Sequence, residues 1–130
     1  HADVLADYAD TLTHNSDFAA ARDRLEAALL LNPMPPDEYW WTLGGIEYFE
    51  GHWQDALAAL QRMKNHEPAL RLMAAAAAMD GDREQARQLR LKALSVQPDF
   101  TIVSWARRIP MRNQADVDLY IEGLRRAGFR

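Results

Sequence analysis

Apolar residues recur every three or four positions along most of this 130-residue chain, as expected for helices that bury one face. The pattern stops at short polar or glycine-containing turns and at prolines, which disfavour helical geometry in the preceding residue. Together these features predict an all-α protein of eight helices. Four of them are predicted at about 2–14, 17–31, 99–109 and 114–127. Of the other four, the first two are expected between Asp37 and the turn at Gly51 and from that turn to about Asn65. The remaining two are expected from about Leu70 to the turn at Asp80 and from that turn to Pro98.

The stretch from Trp40 to Pro68 has the most regular spacing in the chain. It contains, in order, Trp40, Leu43-Gly44, a turn at Gly51, Ala56, Leu60 and Pro68. This arrangement resembles the tetratricopeptide repeat (TPR), in which W-x2-L-G precedes A-x3-F and a closing proline within about 34 residues. The resemblance implies pairs of helices that stack on one another to form a superhelix.

Two less regular copies of this repeat flank the central one. We predict a single domain over 1–130, with repeat 1 at 2–35, repeat 2 at 37–68, repeat 3 at 69–98 and a C-terminal cap at 99–130. The expected architecture is therefore a TPR-like α–α superhelix of three helix-turn-helix repeats, followed by a capping helix and a final amphipathic helix.

Local signals predict how several helices begin, end and pack. Asp37 and Asn113 are expected to cap the helices that follow them, because their side chains can accept hydrogen bonds from free N–H groups. Gly128 is expected to end the final helix. Gly44 costs about 1 kcal/mol of helix propensity relative to alanine. A repeat tolerates that cost so that the neighbouring helix can come close.

Composition and charge add three expectations. With 48% apolar residues, 26% charged residues, no cysteine and no apolar run of about 18 residues, we expect a cytoplasmic domain that neither spans nor binds a membrane. Because the chain opens on His1 inside a helical pattern, we expect it to be part of a longer protein. Residues 1–55 carry eleven acidic and two basic residues, whereas residues 56–130 carry thirteen basic and eight acidic ones. The acidic half argues against nucleic acid as the main ligand.

The first helices of TPR repeats line a concave groove, and aligning the repeats predicts which side chains lie there. Aromatic residues on an acidic flank would suit a partner with apolar anchors and basic residues. Two alternatives remain open: the aromatic residues line an open groove, or the C-terminal helices cover them. The candidate groove residues are Asp3, Asp7, Asp10, Trp41, Gly45, Tyr48, Phe49 and Arg71.

A second candidate surface is basic and lies near the C-terminus. It either serves solubility and the charge balance of helix ends, or docks an acidic partner, including the acidic first repeat of another copy in a homo-oligomer. Its residues are Arg107, Arg108, Arg112, Arg125 and Arg126.

No motif predicts catalysis, a cofactor or a metal. His14, His52 and His66 are too dispersed in sequence for metal-ligand spacing. The glycines of GGIEYFEG lack the lysine of a phosphate-binding loop, and the serines lack a G-x-S-x-G context. We therefore expect a non-catalytic domain without cofactor or metal.

A further resemblance suggests the protein to which such a domain belongs. Trp40-Trp41, Trp105, Pro110 and Gly123-Leu124 are similar to the C-terminal TPR region of bacterial multidomain proteins that carry a class III adenylate or guanylate cyclase domain. The resemblance implies a regulatory, protein-binding module attached to a cyclase. The alternatives are the effector or oligomerisation domain of a TPR-containing winged-helix transcription regulator, or a free-standing adaptor.

Overall fold

A computed structural model describes residues 17–107 and 113–130, and within these two segments every regular element is a helix. None of the described helices is both long and apolar enough to cross a membrane. The predicted helix at 2–14 lies outside the described residues. A single 3₁₀ turn, Glu67–Ala69, precedes α4. The α-helices are α1 (Phe18–Leu31), α2 (Asp37–Phe49), α3 (Trp53–Gln61), α4 (Leu70–Met79), α5 (Arg83–Val96), α6 (Ile102–Ala106) and α7 (Gln114–Arg126).

The helix ends predicted at Asn113 and Gly128 agree with the structure. Asn113 accepts a hydrogen bond from the Ala115 N–H at the start of α7, as predicted. Asp17, for which no cap was predicted, accepts one from the Ala20 N–H at the start of α1. Gly128 has φ of +98° after the end of α7, a backbone conformation that favours glycine. The ends at Asn113 and Gly128 were predictable because residues within four positions of one another determine them.

The prediction that Asp37 caps its own helix is wrong. Pro36 is the N-cap of α2, and the Asp37 carboxylate instead accepts hydrogen bonds from the backbone N–H groups of Lys64 (2.8 Å) and Asn65 (3.0 Å). These bonds hold the segment after α3 against the start of α2. Helix α3 therefore ends at Gln61 and not near Asn65 as predicted, because the backbone N–H groups of Lys64 and Asn65 bind the Asp37 carboxylate and not carbonyls of α3.

The capping helix begins later than predicted, since α6 covers Ile102–Ala106 and the described residues 99–101 before it are not helical. Residues 108 and 109 of the expected 99–109 lie outside the described residues. The Thr101 side chain accepts a hydrogen bond from Ser104 and so starts the helix late. The first N–H of α6, from Ile102, donates to the Arg130 carbonyl at 2.7 Å. This bond ties the start of α6 to the chain that follows α7.

The central helices form two hairpins. Helices α2 and α3 join through a turn at Gly51 (φ +82°), and α4 and α5 join through a turn at Gly81 (φ +88°). Close approach within the first hairpin depends on Gly44, because a Cβ atom there would lie 2.5 Å from Leu60 Cδ2. The role predicted for Gly44 is confirmed.

The last helix packs on the first helix of each hairpin. Helix α7 makes its most extensive contacts with α4 and smaller contacts with α2 and α6. We call the surface of α2 and α4 under α7 the inner face; it includes Tyr48 and Ala75, both fully buried. The main apolar cluster runs from α2 to α7, and a second one, which includes Leu25 and Ile46, joins α1 to α2.

The first prediction concerns the bonds from Asp37. Hydrogen bonds from Asn65 and Lys64 lower the pKa of its carboxyl, so its ionised form stabilises the fold. We expect Asp37→Ala to lower the thermal unfolding midpoint at pH 7. The difference from wild type should shrink as pH falls below about 4, where the carboxyl becomes protonated.

Glu26→Ala is the matched control, because it removes an exposed acid from the face of α1. If scanning calorimetry at pH 7 shows the same decrease in unfolding midpoint for both variants, the bonds from Lys64 and Asn65 to Asp37 contribute no stability.

Candidate functional site

The candidate site is centred on Tyr48, which lies at the C-terminal end of α2 and is fully buried. Its hydroxyl donates a hydrogen bond to the Leu119 carbonyl of α7 at 2.9 Å. Its ring makes edge contacts with Phe49, Trp53 and Tyr120 at centroid distances of 5.3, 5.0 and 5.7 Å. One side chain therefore connects α2 to both α3 and α7.

Gly123 makes this approach of α7 possible. A Cβ atom at Gly123 would overlap the Tyr48 hydroxyl and lie 2.9 Å from the Ala75 Cβ. Since α2 supplies Tyr48 and α4 supplies Ala75, both hairpins meet α7 at this one glycine. Gly123 belongs to a sequence resemblance, but the sequence predicts no contact for it, because a close approach between distant helices leaves no local signal.

Aromatic contacts continue on both sides of Tyr48. Phe49 stacks on Phe18 of α1 with the rings 5.6 Å apart, and it also meets Tyr120 edge-on at 6.4 Å. Trp105 of α6 contacts Tyr120 at 4.8 Å. The chain of rings thus runs from α1, across the inner face, to α6. Such pairs each add about 0.5–1.5 kcal/mol beyond the apolar area that they bury.

Burial also changes the acidity of the two tyrosines. Loss of solvation raises the pKa of Tyr48 well above its ordinary value, and the nearby Tyr120 and Glu122 act in the same direction. Burial of the hydroxyl raises the pKa of Tyr120 to about 12. Both hydroxyls therefore keep their protons above the pH of about 10 at which a tyrosine ordinarily loses its proton, and Tyr48 needs that proton in order to donate to Leu119.

The predicted groove residues that the structure describes differ in how far they are buried. Tyr48 is covered by α7 and Phe49 is half-buried beside it, while Gly45 is buried. Trp41 is 37% exposed and lies two turns before Tyr48 on α2. Arg71 places its guanidinium 4.3 Å from the centre of the Phe100 ring. Asp3, Asp7 and Asp10 lie outside the described residues.

The predicted basic surface is described only in part. Arg107 follows α6, and Arg125 and Arg126 lie in the last turn of α7; all three are exposed. Arg126 pairs with Glu122 at 2.6 Å one turn earlier. Arg108 and Arg112 lie outside the described residues.

A charged cluster that sequence analysis missed joins α1 to the α2–α3 turn. Arg22 pairs with Glu47 (2.6 Å) and Glu50 (2.7 Å), and the second Glu47 oxygen lies 2.9 Å from His52 Nδ1. Burial opposes the charge on Arg22, but its hydrogen bonds and charge interactions with the two glutamates leave its pKa raised overall. The cluster was missed because the turn at Gly51, and not helical spacing, brings His52 to Glu47.

The same cluster contains the described group best suited to a metal ion. One ligand atom each from Glu47, His52 and Asp55 lies within 4.8 Å of the others. The Arg22 guanidinium already binds a Glu47 oxygen, and its positive charge would oppose a cation there. We therefore interpret Glu47 and His52 as part of the Arg22 ion-pair network, which holds α1 against α2.

Comparison of the sequence with models of known protein families gives no match, and comparison with curated proteins gives no significant match.

The second prediction concerns the hydroxyl of Tyr48. We expect Tyr48→Phe to lower the free energy of unfolding by about 1 kcal/mol, the typical contribution of one intramolecular hydrogen bond. Tyr120→Phe removes a hydroxyl from the same ring cluster and is the matched control, with a smaller expected loss. Urea unfolding measures both, and a loss for Tyr120→Phe as large as that for Tyr48→Phe would contradict the role of the Leu119 bond.

The third prediction follows from the raised tyrosine pKa values. The unfolded chain releases its tyrosine protons near pH 10. The folded protein retains the Tyr120 proton until about pH 12, and it retains the Tyr48 proton above the pH at which a tyrosine ordinarily loses it. The unfolded state then binds fewer protons, so the free energy of unfolding falls as pH rises above about 10 and is unaffected by these groups below it.

Urea unfolding at pH 8 to 11.5 checks this dependence against the double variant Tyr48→Phe/Tyr120→Phe. The variant should lose stability less steeply above pH 10, while other groups contribute equally to both proteins. If the free energy of unfolding falls equally steeply with pH in the wild type and the double variant, the two hydroxyls are not buried.

Proposed function

We propose that this chain is a non-catalytic protein-interaction domain built from TPR-type helical hairpins. The observation that carries the proposal is that the inner face, made by the first helix of each described hairpin, already holds an amphipathic helix, α7. A surface that accepts a helix through buried aromatic rings has the chemistry of helix-in-groove recognition.

Two features of the hairpins support the TPR assignment. Gly44 admits Leu60 within the first hairpin, as the W-x2-L-G spacing requires. The turns at Gly51 and Gly81 lie at matching places in the two hairpins and both need positive φ. Each feature depends on residues that the repeat pattern singles out.

We propose further that the domain regulates an attached signalling domain, most simply a nucleotide cyclase. The support is the resemblance of Trp40-Trp41 on α2 and Gly123-Leu124 on α7 to cyclase-linked TPR regions. The two helices that carry these residues meet in the structure, since Tyr48 of α2 contacts Gly123 of α7. A resemblance divided over distant segments that pack together is expected where the segments share one structural role.

Trp41 is the best-placed anchor for a partner. It lies seven residues before Tyr48, so the two side chains point to the same side of α2, but Trp41 remains exposed where Tyr48 is covered. Exposed tryptophans next to a buried apolar surface are typical of residues that dominate binding energy at interfaces.

The fourth prediction tests this anchor. Binding partners would be recovered from a lysate of the source cells by affinity purification on the wild-type domain, and their dissociation constants measured with purified proteins. We expect Trp41→Ala to weaken binding at least tenfold, which corresponds to about 1.4 kcal/mol. Leu91→Ala, which truncates an exposed apolar residue on α5, should leave binding unchanged.

Circular dichroism should show equal helicity for both variants and wild type. Equal affinity of Trp41→Ala and wild type for every recovered partner would contradict the proposed binding surface.

A further inference from the structure

A cleft of about 500 Å³ lies between α2 and α3, and its volume is within the usual range of small-molecule sites. The α2 residues that form it recur at three- and four-residue spacing, so they share one side of that helix, and this is not the side of Tyr48. We call this feature the outer cleft. The residues that line it include Trp40, Leu43, Glu47, Asp55, Ala59 and Arg62.

Opposite charges lie at the two ends of the outer cleft. At one end the Arg62 guanidinium lies over the Trp40 ring, 4.7 Å from its centre. At the other end the carboxylates of Glu47 and Asp55 approach each other within 4.8 Å. Seven residues separate Trp40 from Glu47 and Asp55 from Arg62, so each helix places the two ends about 10 Å apart. The cleft therefore has a fixed length between a cation and an acidic pair.

The charged groups at the two ends are available to a ligand. Within the part of the chain that the structure describes, neither Asp55 nor Arg62 takes part in an ion pair. A guanidinium that lies over a ring by its face can still donate N–H groups from its edge to a carboxylate. Contact with Trp40 thus orients Arg62 without using its capacity to bind an anion.

The acidic end suits an ammonium group better than a metal ion. A metal ion would need the Glu47 oxygens, which Arg22 and His52 already bind. Arg22 also pairs with Glu50, so Arg22, Glu47 and Glu50 together carry one net negative charge, and the nearby Asp55 adds a second. An ammonium group can bind Asp55 alone and is attracted by the remaining charge.

The middle of the outer cleft is apolar. Leu43 and Ala59 lie between the two ends, and Ala59 is buried. A hydrocarbon chain that lies along these side chains is removed from water, which favours binding. Polar groups at both ends and apolar contact between them define the ligand chemistry.

We propose that the outer cleft binds a short linear zwitterion, with its ammonium group at Asp55 and its carboxylate at Arg62. The hydrocarbon chain between the two charges lies along Leu43 and Ala59. The spacing of the ends selects a molecule whose charges can be about 10 Å apart. This site is separate from the inner face, so the inference does not rest on the proposed function.

The test titrates the full wild-type chain with ω-aminooctanoate and follows the amide chemical shifts by NMR. We expect saturable shifts confined to α2, α3 and the turn between them. Octanoate and octylamine each lack one of the two charges and should bind about threefold more weakly or worse, as expected for the loss of one exposed ion pair. ω-Aminobutanoate, which is too short to reach both ends, should also bind more weakly.

Two variants separate the ends of the cleft. Asp55→Asn should weaken binding of ω-aminooctanoate but leave that of octanoate unchanged, because octanoate has no ammonium group. Arg62→Gln should weaken binding of ω-aminooctanoate but leave that of octylamine unchanged, because octylamine has no carboxylate. Asp23→Asn and Arg87→Gln are the matched controls, because both change an exposed side chain outside the cleft and should alter no affinity.

The proposal would be overturned if the shifts did not saturate with ω-aminooctanoate, or if they were spread over helices other than α2 and α3. Binding of octanoate or octylamine as tight as that of ω-aminooctanoate would also overturn it, as would equal effects of the cleft variants and their controls. The comparison of ligands on the wild-type protein does not need the variants, so it decides the proposal even if a variant unfolds.

Discussion

The contact between Tyr48 and α7 is the constraint on which the rest of the structure depends. A buried hydroxyl must find an acceptor, and here the acceptor is the Leu119 carbonyl, seventy-one residues later in the chain. The bond can form only where Gly123 leaves room for the tyrosine. The position of the last helix therefore follows from one donor and one missing side chain.

The remaining contacts extend this constraint to the other helices. The rings of Phe18, Phe49 and Trp105 join α1 and α6 to the same cluster, and the Arg22 ion pairs hold α1 against the end of α2. At the opposite end of α2, Asp37 binds the segment that follows α3. Helix α2, which carries Trp41, the residue that we propose for recognition, is thus held at both ends.

The sequence predicted those features that depend on neighbouring residues. Asn113 starts a helix and Gly128 follows the end of the same helix through a bond or backbone geometry within one turn, and the repeat spacing predicts the close approach at Gly44. The sequence predicts the wrong hydrogen-bond partner for Asp37, because a carboxylate that can cap its own helix can equally accept a bond from an N–H group twenty-seven residues away. Only the packing of the hairpin decides between them.

Features of the candidate site were less predictable for the same reason. Whether the aromatic groove is open or covered depends on where α7 packs, and the local sequence pattern around Tyr48 does not predict the position of α7. The sequence pattern does not predict that Gly123 contacts Tyr48, or that His52 lies close to Glu47 and Asp55. Each of these roles arises from tertiary contacts between helices or across a turn.

A double-mutant cycle between Tyr48 and Gly123 tests the central claim most directly. Gly123→Ala introduces a methyl group that overlaps the Tyr48 hydroxyl, and Tyr48→Phe removes that hydroxyl. We predict that Gly123→Ala lowers the free energy of unfolding less in the Tyr48→Phe background than in wild type, with a coupling free energy between about 0.5 and 3 kcal/mol in urea unfolding. Additivity of the two changes within about 0.5 kcal/mol would show that Tyr48 and Gly123 do not hold α7 on the inner face.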